Sequence, residues 1–266
     1  MRIDSRACWK GVVVTSLFGC VGVAPAQAGY CPGVAVPAYF YPVAATGLWA
    51  QVVANVRART RFNIMVMNPA SGPGAAVNSD YVAAVNSARS SGIKVLGYVH
   101  TSYGTRSSAI VKSEIDAYKN WYGVDGIFID ETMANPTYLS YYSTLASYIR
   151  SAPGDFVMLN PGVFPTMAKF IEMADTTVVF EGTYATYSTA WIAPPAWAPY
   201  YPASKYTHLV YGASATNMAS ALTLAKARNA GQVYVTDDVL PNPWDTLPSY
   251  SSALLAAIIS SCLAAQ

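Results

Sequence analysis

Short apolar runs alternate with longer segments of helical periodicity along most of this chain. Each run is rich in β-branched or aromatic residues, ends in a polar or aromatic residue, and is followed by a loop of Gly, Pro, Ser or Asn. Eight runs have this form: 34–41, 62–68, 94–100, 126–131, 155–160, 176–182, 206–212 and 232–238. Apolar runs of this length, joined by helices, are typical of parallel strands that are covered by other elements.

The segments between the runs predict the covering helices. They are 47–59, 79–91, 107–121, 136–150, 165–174, 217–229 and 248–263. The connection over 183–203 differs, because it is rich in aromatic residues and proline and predicts an elaborated loop. Eight strands with intervening helices are what a (β/α)8 TIM barrel needs. We therefore predict an α/β barrel as a single domain over 29–266, with a doubly wound open sheet as the alternative.

The first 28 residues predict a signal peptide. Three basic residues precede an apolar segment over 11–24 that is short for a membrane span, and Ala26 and Ala28 fit a small-x-small cleavage site. A lipoprotein-type site at Cys20 is the alternative, although Phe18 fits it poorly. We therefore expect an exported protein, secreted or periplasmic, with no membrane association beyond export.

Composition narrows the class of partner. Only 11% of the residues are charged and 53% are hydrophobic, which favours a large core. Without residues 1–28, 13 basic and 13 acidic side chains remain, so net charge gives no reason to expect a nucleic acid. The two histidines and the cysteine spacing match no metal-binding pattern. We expect a monomer without metal or cofactor.

Two cysteines remain after the predicted cleavage. Cys31 and Cys262 lie near opposite ends of the mature chain. An even pair in an exported protein is typical of a disulfide, and barrel closure would bring the two ends together. We therefore predict a bond between them.

Carboxylates at the ends of two runs are the candidate catalytic groups. In a (β/α)8 barrel the C-terminal strand ends form the active site, and here they carry Asp130, Glu131 and Glu181. Two carboxylates across a cleft can hydrolyse a glycosidic bond. The alternative is that the acids cap helices or pair with Arg106 and Lys205. Strand alternation sends Asp130 and Glu131 to opposite sides, and we favour Asp130 as nucleophile, Glu181 as acid/base and Glu131 as a supporting acid.

Other polar and aromatic residues around the predicted mouth are candidates for substrate binding. They are Tyr39, Tyr41, Asn68, His100, Tyr103, Asn160, Trp191, Trp197, Tyr211, Asp237 and Asp238. Aromatic rings with a polar edge suit contacts with sugars. Several have an alternative: His100 could be a hydrogen-bonded structural residue, the two asparagines precede prolines and could make turns, the tryptophans could pack in a lid, and the two aspartates could shape their own loop.

Several motifs occur in an order that carries a family resemblance. They are VPAYFYP (36–42), NPASGPG (68–74), VLGYVHTSYG (95–104), WYGVDGIFIDE (121–131), NPG (160–162) and FEG (180–182). Together they resemble the spherulin-4-like proteins, or spherulation-specific family 4, over nearly all of the mature chain. The resemblance implies a (β/α)8 barrel and places the family's Asp-Glu pair and later Glu on Asp130, Glu131 and Glu181. Characterised fungal members, glycoside hydrolase family 135, cleave galactosaminogalactan at N-acetylgalactosamine-containing stretches.

The resulting prediction is an exported, endo-acting, retaining glycoside hydrolase for an amino-sugar exopolysaccharide such as a biofilm component. An α-linked 2-acetamido sugar of galacto configuration carries its acetamido group on the same side as the leaving group. That group is poorly placed to attack the anomeric carbon, so a protein carboxylate is required. The alternative is a catalytically silent carbohydrate-binding or cell-envelope structural protein on the same barrel.

Overall fold

The computed structural model describes residues 31–43, 47–55, 63–151 and 155–263, and the predicted signal peptide lies outside these ranges. Each of the eight predicted runs overlaps all or most of a β-strand. The strands are β1 Gly33–Ala38, β2 Asn63–Met67, β3 Lys94–His100, β4 Gly126–Asp130, β5 Phe156–Leu159, β6 Thr176–Thr183, β7 Tyr206–Tyr211 and β8 Gln232–Val235. The apolar runs therefore predicted every strand of the described barrel.

Helices follow the strands. They are α1 Leu48–Asn55, α2 Ser79–Ser90, α3 Ser108–Tyr122, α4 Leu139–Ile149, α5 Lys169–Met173, α6 Tyr184–Thr189, α7 Ala215–Ala227 and α8 Ser251–Leu263. The 183–203 connection is less irregular than predicted, because it contains α6. The Thr183 hydroxyl caps this helix by accepting from the Thr186 amide at 3.1 Å, a start signal that is easily missed among aromatic residues and prolines.

All eight strands are parallel and pair in chain order into a closed barrel. The ring is closed by β1 and β8, where Gly33 lies opposite Gln232 and Val34 opposite Val233. Closure confirms the (β/α)8 barrel over the open sheet and leaves no unpaired strand edge. The C-terminal ends of all eight strands meet at one mouth, where this fold places its active sites.

Strand β6 contains an irregularity that decides where its last residues point. Its register with β7 pairs Val178 with Thr207 and then Phe180 with His208, so Val179 is an extra residue. An extra residue of this kind is a β-bulge, which shifts the alternation of side chains between the two faces by one position.

Contacts on either side of the bulge show the change of face. Thr176 precedes it and bonds to side chains of β7 and β8 inside the barrel. Val179 packs with Tyr206 in the layer outside the barrel wall. In a regular strand Glu181 would share the face of Val179, but it lies in the mouth, where it contacts Asn160. The bulge therefore turns the Glu181 carboxylate inward.

The two ends of the described chain come together as closure requires. Cys31 precedes β1 and is disulfide-bonded, and α8, whose range includes Cys262, packs against β1. The Cys262 side chain lies outside the described residues, so the pairing remains a prediction. No helix within the described ranges has the length and apolar composition needed to span a membrane.

We predict that Cys31 pairs with Cys262. The loop that this bond closes is so long that the chain-entropy argument gives roughly 5 kcal/mol, and real bonds often contribute less. Alkylation followed by intact-mass measurement should detect no free thiol before reduction and two alkylated cysteines after it. Two free thiols in protein recovered from an oxidising compartment would disprove the pairing.

Candidate active site

Two carboxylates on different strands are held together by one side-chain amide at the barrel mouth. Asp130 ends β4, Glu181 lies near the end of β6, and Asn160 follows β5 between them. The Asn160 Nδ2 donates to Asp130 Oδ1 at 2.7 Å and to Glu181 Oε2 at 2.6 Å. The two bridged oxygens can therefore be no farther apart than the sum of these distances, about 5.3 Å.

The Asn160 amide is fixed in one orientation. Its backbone N–H donates to Ile129 O at 2.9 Å, and its carbonyl accepts from Thr132 N at 3.0 Å. Its Oδ1 accepts from the Gly162 amide at 3.0 Å, so Nδ2 must face the carboxylates. This buried asparagine therefore makes a turn with Gly162 and also bridges the two carboxylates, while its contact with a substrate stays a prediction.

Asp130 receives further hydrogen bonds. The Tyr98 hydroxyl donates to its Oδ2 at 2.8 Å, and the backbone N–H of Glu131 also bonds to its carboxylate. The Tyr98 ring is held by Phe128, stacked at 6.0 Å, and by Tyr39, edge-on at 5.5 Å. The Tyr39 and Tyr98 rings thus lie next to Asp130, and substrate binding by Tyr39 stays a prediction.

Glu181 is held from the opposite side by a residue of the loop between β8 and α8. The indole N–H of Trp244 donates to Glu181 Oε1 at 3.2 Å. Trp244 is buried, its carbonyl accepts from the Tyr39 amide at 3.1 Å, and its ring meets Tyr211 edge-on at 6.0 Å. This loop therefore folds back over the mouth and completes the cage around the carboxylate.

The two carboxylates have raised pKa values with different secondary causes. Burial raises the pKa of Asp130, while hydrogen bonds from Tyr98, Glu131 and Asn160 oppose the rise. Burial also raises the pKa of Glu181, and the neighbouring Asp130 charge raises it further. Asp130 has more donors to stabilise its anion, so the shared negative charge belongs on Asp130 and the proton on Glu181. An anionic carboxylate beside a protonated one is a pair that can combine nucleophilic attack with proton donation.

Sequence comparisons assign this chain to a known family. A sequence profile of the spherulation-specific family 4 matches residues 33–258. The chain belongs to this family. Spherulin-4 of Physarum polycephalum is 32% identical over 234 residues, which cover 84% of this chain and 69% of that protein.

Solved structures resemble this family 4 barrel in fold. The structure of Aspergillus clavatus Sph3 in complex with GalNAc superposes with a TM-score of 0.74 at 24% identity, covering 87% of this chain and 98% of Sph3. The Bacillus cereus spore cortex-lytic enzyme SleL gives 0.53 at 13% identity, covering 85% and 74%. A chitinase from Rhizomucor miehei gives 0.52 at 12%, covering 87% and 99%. At these identities the likeness establishes the fold alone.

The third candidate acid, Glu131, lies at the rim of the mouth. Glu131 has a left-handed backbone with φ 53°, so strand geometry ends at Asp130 and alternation no longer applies. The Glu131 carboxylate lies 3.5 Å from Nδ1 of His100 and is partly exposed. The Glu131 backbone thus contacts Asp130, whereas its side chain contacts His100. A supporting role of Glu131 in the reaction remains a prediction.

Of the predicted binding residues, five lie at the mouth. Tyr39, Asn160 and Tyr211 line the carboxylate pair through the contacts above. His100 and Tyr103 lie at the rim, where the Tyr103 amide donates to the Glu131 carbonyl at 3.0 Å. Contact of these residues with a sugar stays a prediction, but the structure brings them together.

Two other candidates hold local structure. The Tyr41 hydroxyl donates to Asp80 Oδ2 at 2.6 Å, in the first turn of α2. Asn68 accepts from the Gly72 amide at 3.1 Å and so closes a turn. These contacts favour the turn-making alternative for Asn68 and a loop-anchoring role for Tyr41.

The last two aspartates shape the loop after β8. Asp237 accepts from the backbone amide of Ser249 at 3.0 Å, and Asp238 accepts from that of Val239 at 2.8 Å. The carbonyl of Asp238 also accepts from Gly212 at 2.8 Å. The loop-shaping alternative thus accounts for the contacts of both side chains.

The two tryptophans pack outside the barrel wall. Trp191 lies 5.9 Å from the Phe180 ring and 5.3 Å from His208, which is buried with a pKa lowered to about 3. Trp197 meets Phe164 edge-on at 6.2 Å in the cluster around α5. Phe180 faces away from the carboxylate pair because of the bulge, so the contacts favour packing, and a sugar-binding role for either tryptophan stays a prediction.

Basic residues considered as partners for the acids bind elsewhere. Arg106 pairs with Glu114, and the Lys205 ammonium donates to the carbonyl of Ala174. Across the described ranges, no three His, Cys, Asp or Glu side chains are grouped so that they could hold a metal ion. The side chains described above that donate hydrogen bonds to the carboxylate pair, Tyr98, Asn160 and Trp244, are all neutral.

Sequence reasoning missed two residues of the site. Tyr98 lies two positions before His100 on β3, so strand alternation places it on the same face and could have identified it. Trp244 lies in a loop without periodicity, and no local pattern connects it to Glu181.

We predict that Asp130→Asn makes the protein more stable than the parent at neutral pH. Because the pKa of Asp130 is higher in the folded parent than in the unfolded chain, the folded protein binds more protons between the two pKa values. The free energy of unfolding of the parent therefore falls as the pH rises through the folded-state pKa of Asp130. The amide has no such loss, and the Tyr98 hydroxyl can turn to accept from it. Melting temperatures measured from pH 3 to 8 should show an advantage that disappears below about pH 4. A pH-independent difference would contradict the raised pKa.

We predict that Trp191→Ala destabilises the fold by about 3 kcal/mol, since it opens a cavity in an aromatic cluster. Ile192→Ala is the matched control, because the neighbouring side chain is 74% exposed and its loss should change stability little. Denaturant unfolding measures both variants. If Trp191→Ala instead keeps the stability of the parent but binds the polymer more weakly, Trp191 contributes to substrate binding rather than to packing.

Proposed function

We propose that this protein is an exported, endo-acting glycoside hydrolase that cleaves an N-acetylgalactosamine-containing exopolysaccharide of the galactosaminogalactan type. The observation that carries the proposal is the pair of carboxylates on β4 and β6, bridged by Asn160 at the barrel mouth. Membership of the spherulation-specific family and the GalNAc complex of Sph3 support the substrate class. Paired carboxylates at this position are what glycosidic bond cleavage requires.

In the first step, Asp130 attacks the anomeric carbon and forms a glycosyl ester. The bond between that carbon and the leaving oxygen breaks, and the proton of Glu181 passes to the leaving oxygen. Tyr98 and Asn160 orient the Asp130 carboxylate and stabilise its anion before the attack. The charge on Asp130 helps to keep Glu181 protonated until this step.

In the second step, Glu181 takes a proton from water, and the water oxygen attacks the anomeric carbon and releases Asp130. The change of role follows from the electrostatics of the pair. Once Asp130 is an uncharged ester, its repulsion no longer raises the pKa of Glu181, so Glu181 becomes the anion that a general base must be. Trp244 and Asn160 continue to donate to it.

Retention of configuration is part of the proposal. Carboxyl groups in retaining enzymes are about 5–5.5 Å apart, against about 6.5–9.5 Å in inverting ones. The limit of about 5.3 Å between the bridged oxygens favours the shorter class.

Export, to the periplasm or the medium, is proposed from the leader sequence over residues 1–28. A polymer outside the cytoplasm is the substrate that such a location makes accessible, and a biofilm exopolysaccharide fits it. The rival hypothesis is a silent carbohydrate-binding or cell-envelope protein. The presence of both acids, each with hydrogen-bond donors, favours the hydrolase over the silent protein. An assay for reducing ends released from purified polymer distinguishes the two hypotheses.

We predict that Asp130→Asn and Glu181→Gln each lower kcat by about 10³-fold or more on N-acetylgalactosamine polymer, because acid–base help alone is typically worth 10²–10⁴. Asp116→Asn is the matched control, since that exposed carboxylate also accepts a tyrosine hydroxyl, from Tyr148 at 2.7 Å, but on the helices. Reducing-end release by purified variants measures the effect. Near-parental turnover in either site variant would refute the assignment, and a parent that releases nothing would refute the enzyme.

A further inference from the structure

The turn after β3 places an exposed aromatic ring at the rim of the mouth. Three consecutive residues of this turn have left-handed backbones: Ser102 with φ 46°, Tyr103 with φ 56° and Gly104 with φ 86°. Glycine adopts this conformation freely and asparagine tolerates it, whereas it is unfavourable for a bulky aromatic residue. The backbone therefore gives no reason for a tyrosine at position 103.

The turn is attached to the strand end that carries the nucleophile. The Thr101 amide donates to the Asp130 carbonyl at 3.1 Å, and the Tyr103 amide donates to the Glu131 carbonyl at 3.0 Å. Within the turn, the Gly104 amide donates to Thr101 O at 3.0 Å. The position of Tyr103 is thus tied to that of the candidate active site.

Packing beneath the turn holds it further. The buried Thr101 hydroxyl lies 2.9 Å from the hydroxyl of Tyr142 on α4. Gly104 lies so close to the Tyr138 ring that a Cβ there would be 2.4 Å from it. A left-handed turn with this support keeps its shape, so the backbone of residue 103 is held in place relative to the candidate active site before any ligand binds.

The Tyr103 side chain itself is 55% exposed, although the backbone beneath it is fixed. Next to the turn lie the polar groups of the rim, the Glu131 carboxylate and the His100 ring, 3.5 Å apart. An exposed flat ring beside hydrogen-bonding groups suits a pyranose, which has an apolar face and a hydroxylated edge. The rim therefore has the chemistry of a sugar subsite.

We propose that Tyr103 forms the stacking platform of a second sugar subsite, next to the subsite in which cleavage occurs. The ring would bind the face of a neighbouring pyranose unit of the polymer, while His100 and Glu131 face its hydroxyls. This inference rests on the proposed function and extends it, because it requires a substrate longer than the unit at the cleavage point. It also accounts for a tyrosine in an unfavourable backbone conformation.

The test compares two variants at the same position. Tyr103→Asn removes the ring and suits the left-handed backbone, so its melting temperature should equal or exceed that of the parent. Tyr103→Phe keeps the ring. Both are assayed on an N-acetylgalactosamine tetrasaccharide and decasaccharide, and their binding to the decasaccharide is measured in an Asp130→Asn background by calorimetry.

We expect Tyr103→Asn to raise KM and Kd for the decasaccharide about tenfold, equivalent to about 1.4 kcal/mol, with a much smaller rise for the tetrasaccharide. Tyr103→Phe should stay near the parent on both. Unchanged decasaccharide binding in the Asn variant would overturn the subsite. Equal losses on both lengths would also overturn it, because they would place Tyr103 at the cleavage point.

The same measurements separate this inference from the proposed function. A parent that cleaves both oligosaccharides with no dependence on Tyr103 contradicts the subsite and leaves the hydrolase standing. A parent that cleaves neither, but binds the decasaccharide through Tyr103, supports the subsite and contradicts the hydrolase.

Discussion

The site depends on one amide that holds two carboxylates together. Two acids so close repel each other when both are ionised, and burial disfavours the charged form of each. Asn160 offsets part of this cost, because its Nδ2 donates one hydrogen to each of them. Tyr98 and Trp244 supply the remaining donors from a neighbouring strand and from the last loop. Burial raises the pKa of both acids, and the Asp130 charge raises that of Glu181 further, while these neutral donors oppose the rise.

The barrel brings this cage together through constraints that lie far apart in the sequence. Closure places β4, β5 and β6 side by side, so that the amide lies between the acids. The bulge at Val179 is needed as well, because without it Glu181 would face the helices. The same bulge puts Phe180 outside the wall, where Trp191 packs against it. One extra residue thus sets both the packing of the outer layer and the direction of the Glu181 carboxylate.

Periodicity predicted the parts of this structure that repeat. Apolar runs identified every described strand, and the rule that sites form at strand ends identified Asp130, Glu181 and Asn160. The sequence pattern did not predict the bulge, because Val179 is as apolar as its neighbours and the run over 176–182 looks regular. The contact of Trp244 with Glu181 was not predicted either, because packing between a loop and a distant strand leaves no local sequence pattern. Trp191 became a candidate for substrate binding because its segment is rich in aromatic residues, but composition cannot distinguish a ring that packs from one that binds, and its contacts favour packing.

The configuration of the first product tests the central claim most directly. If Asp130 and Glu181 act as a pair held at short range by Asn160, cleavage passes through an ester on Asp130 and two inversions. Proton NMR of an α-linked N-acetylgalactosamine oligosaccharide, recorded in the first minutes of reaction, reports the new reducing end before it mutarotates. We expect the α-anomer of the new reducing end to appear first. A β-anomer that appears first would contradict it, because a single inversion needs a water molecule between carboxylates that are farther apart.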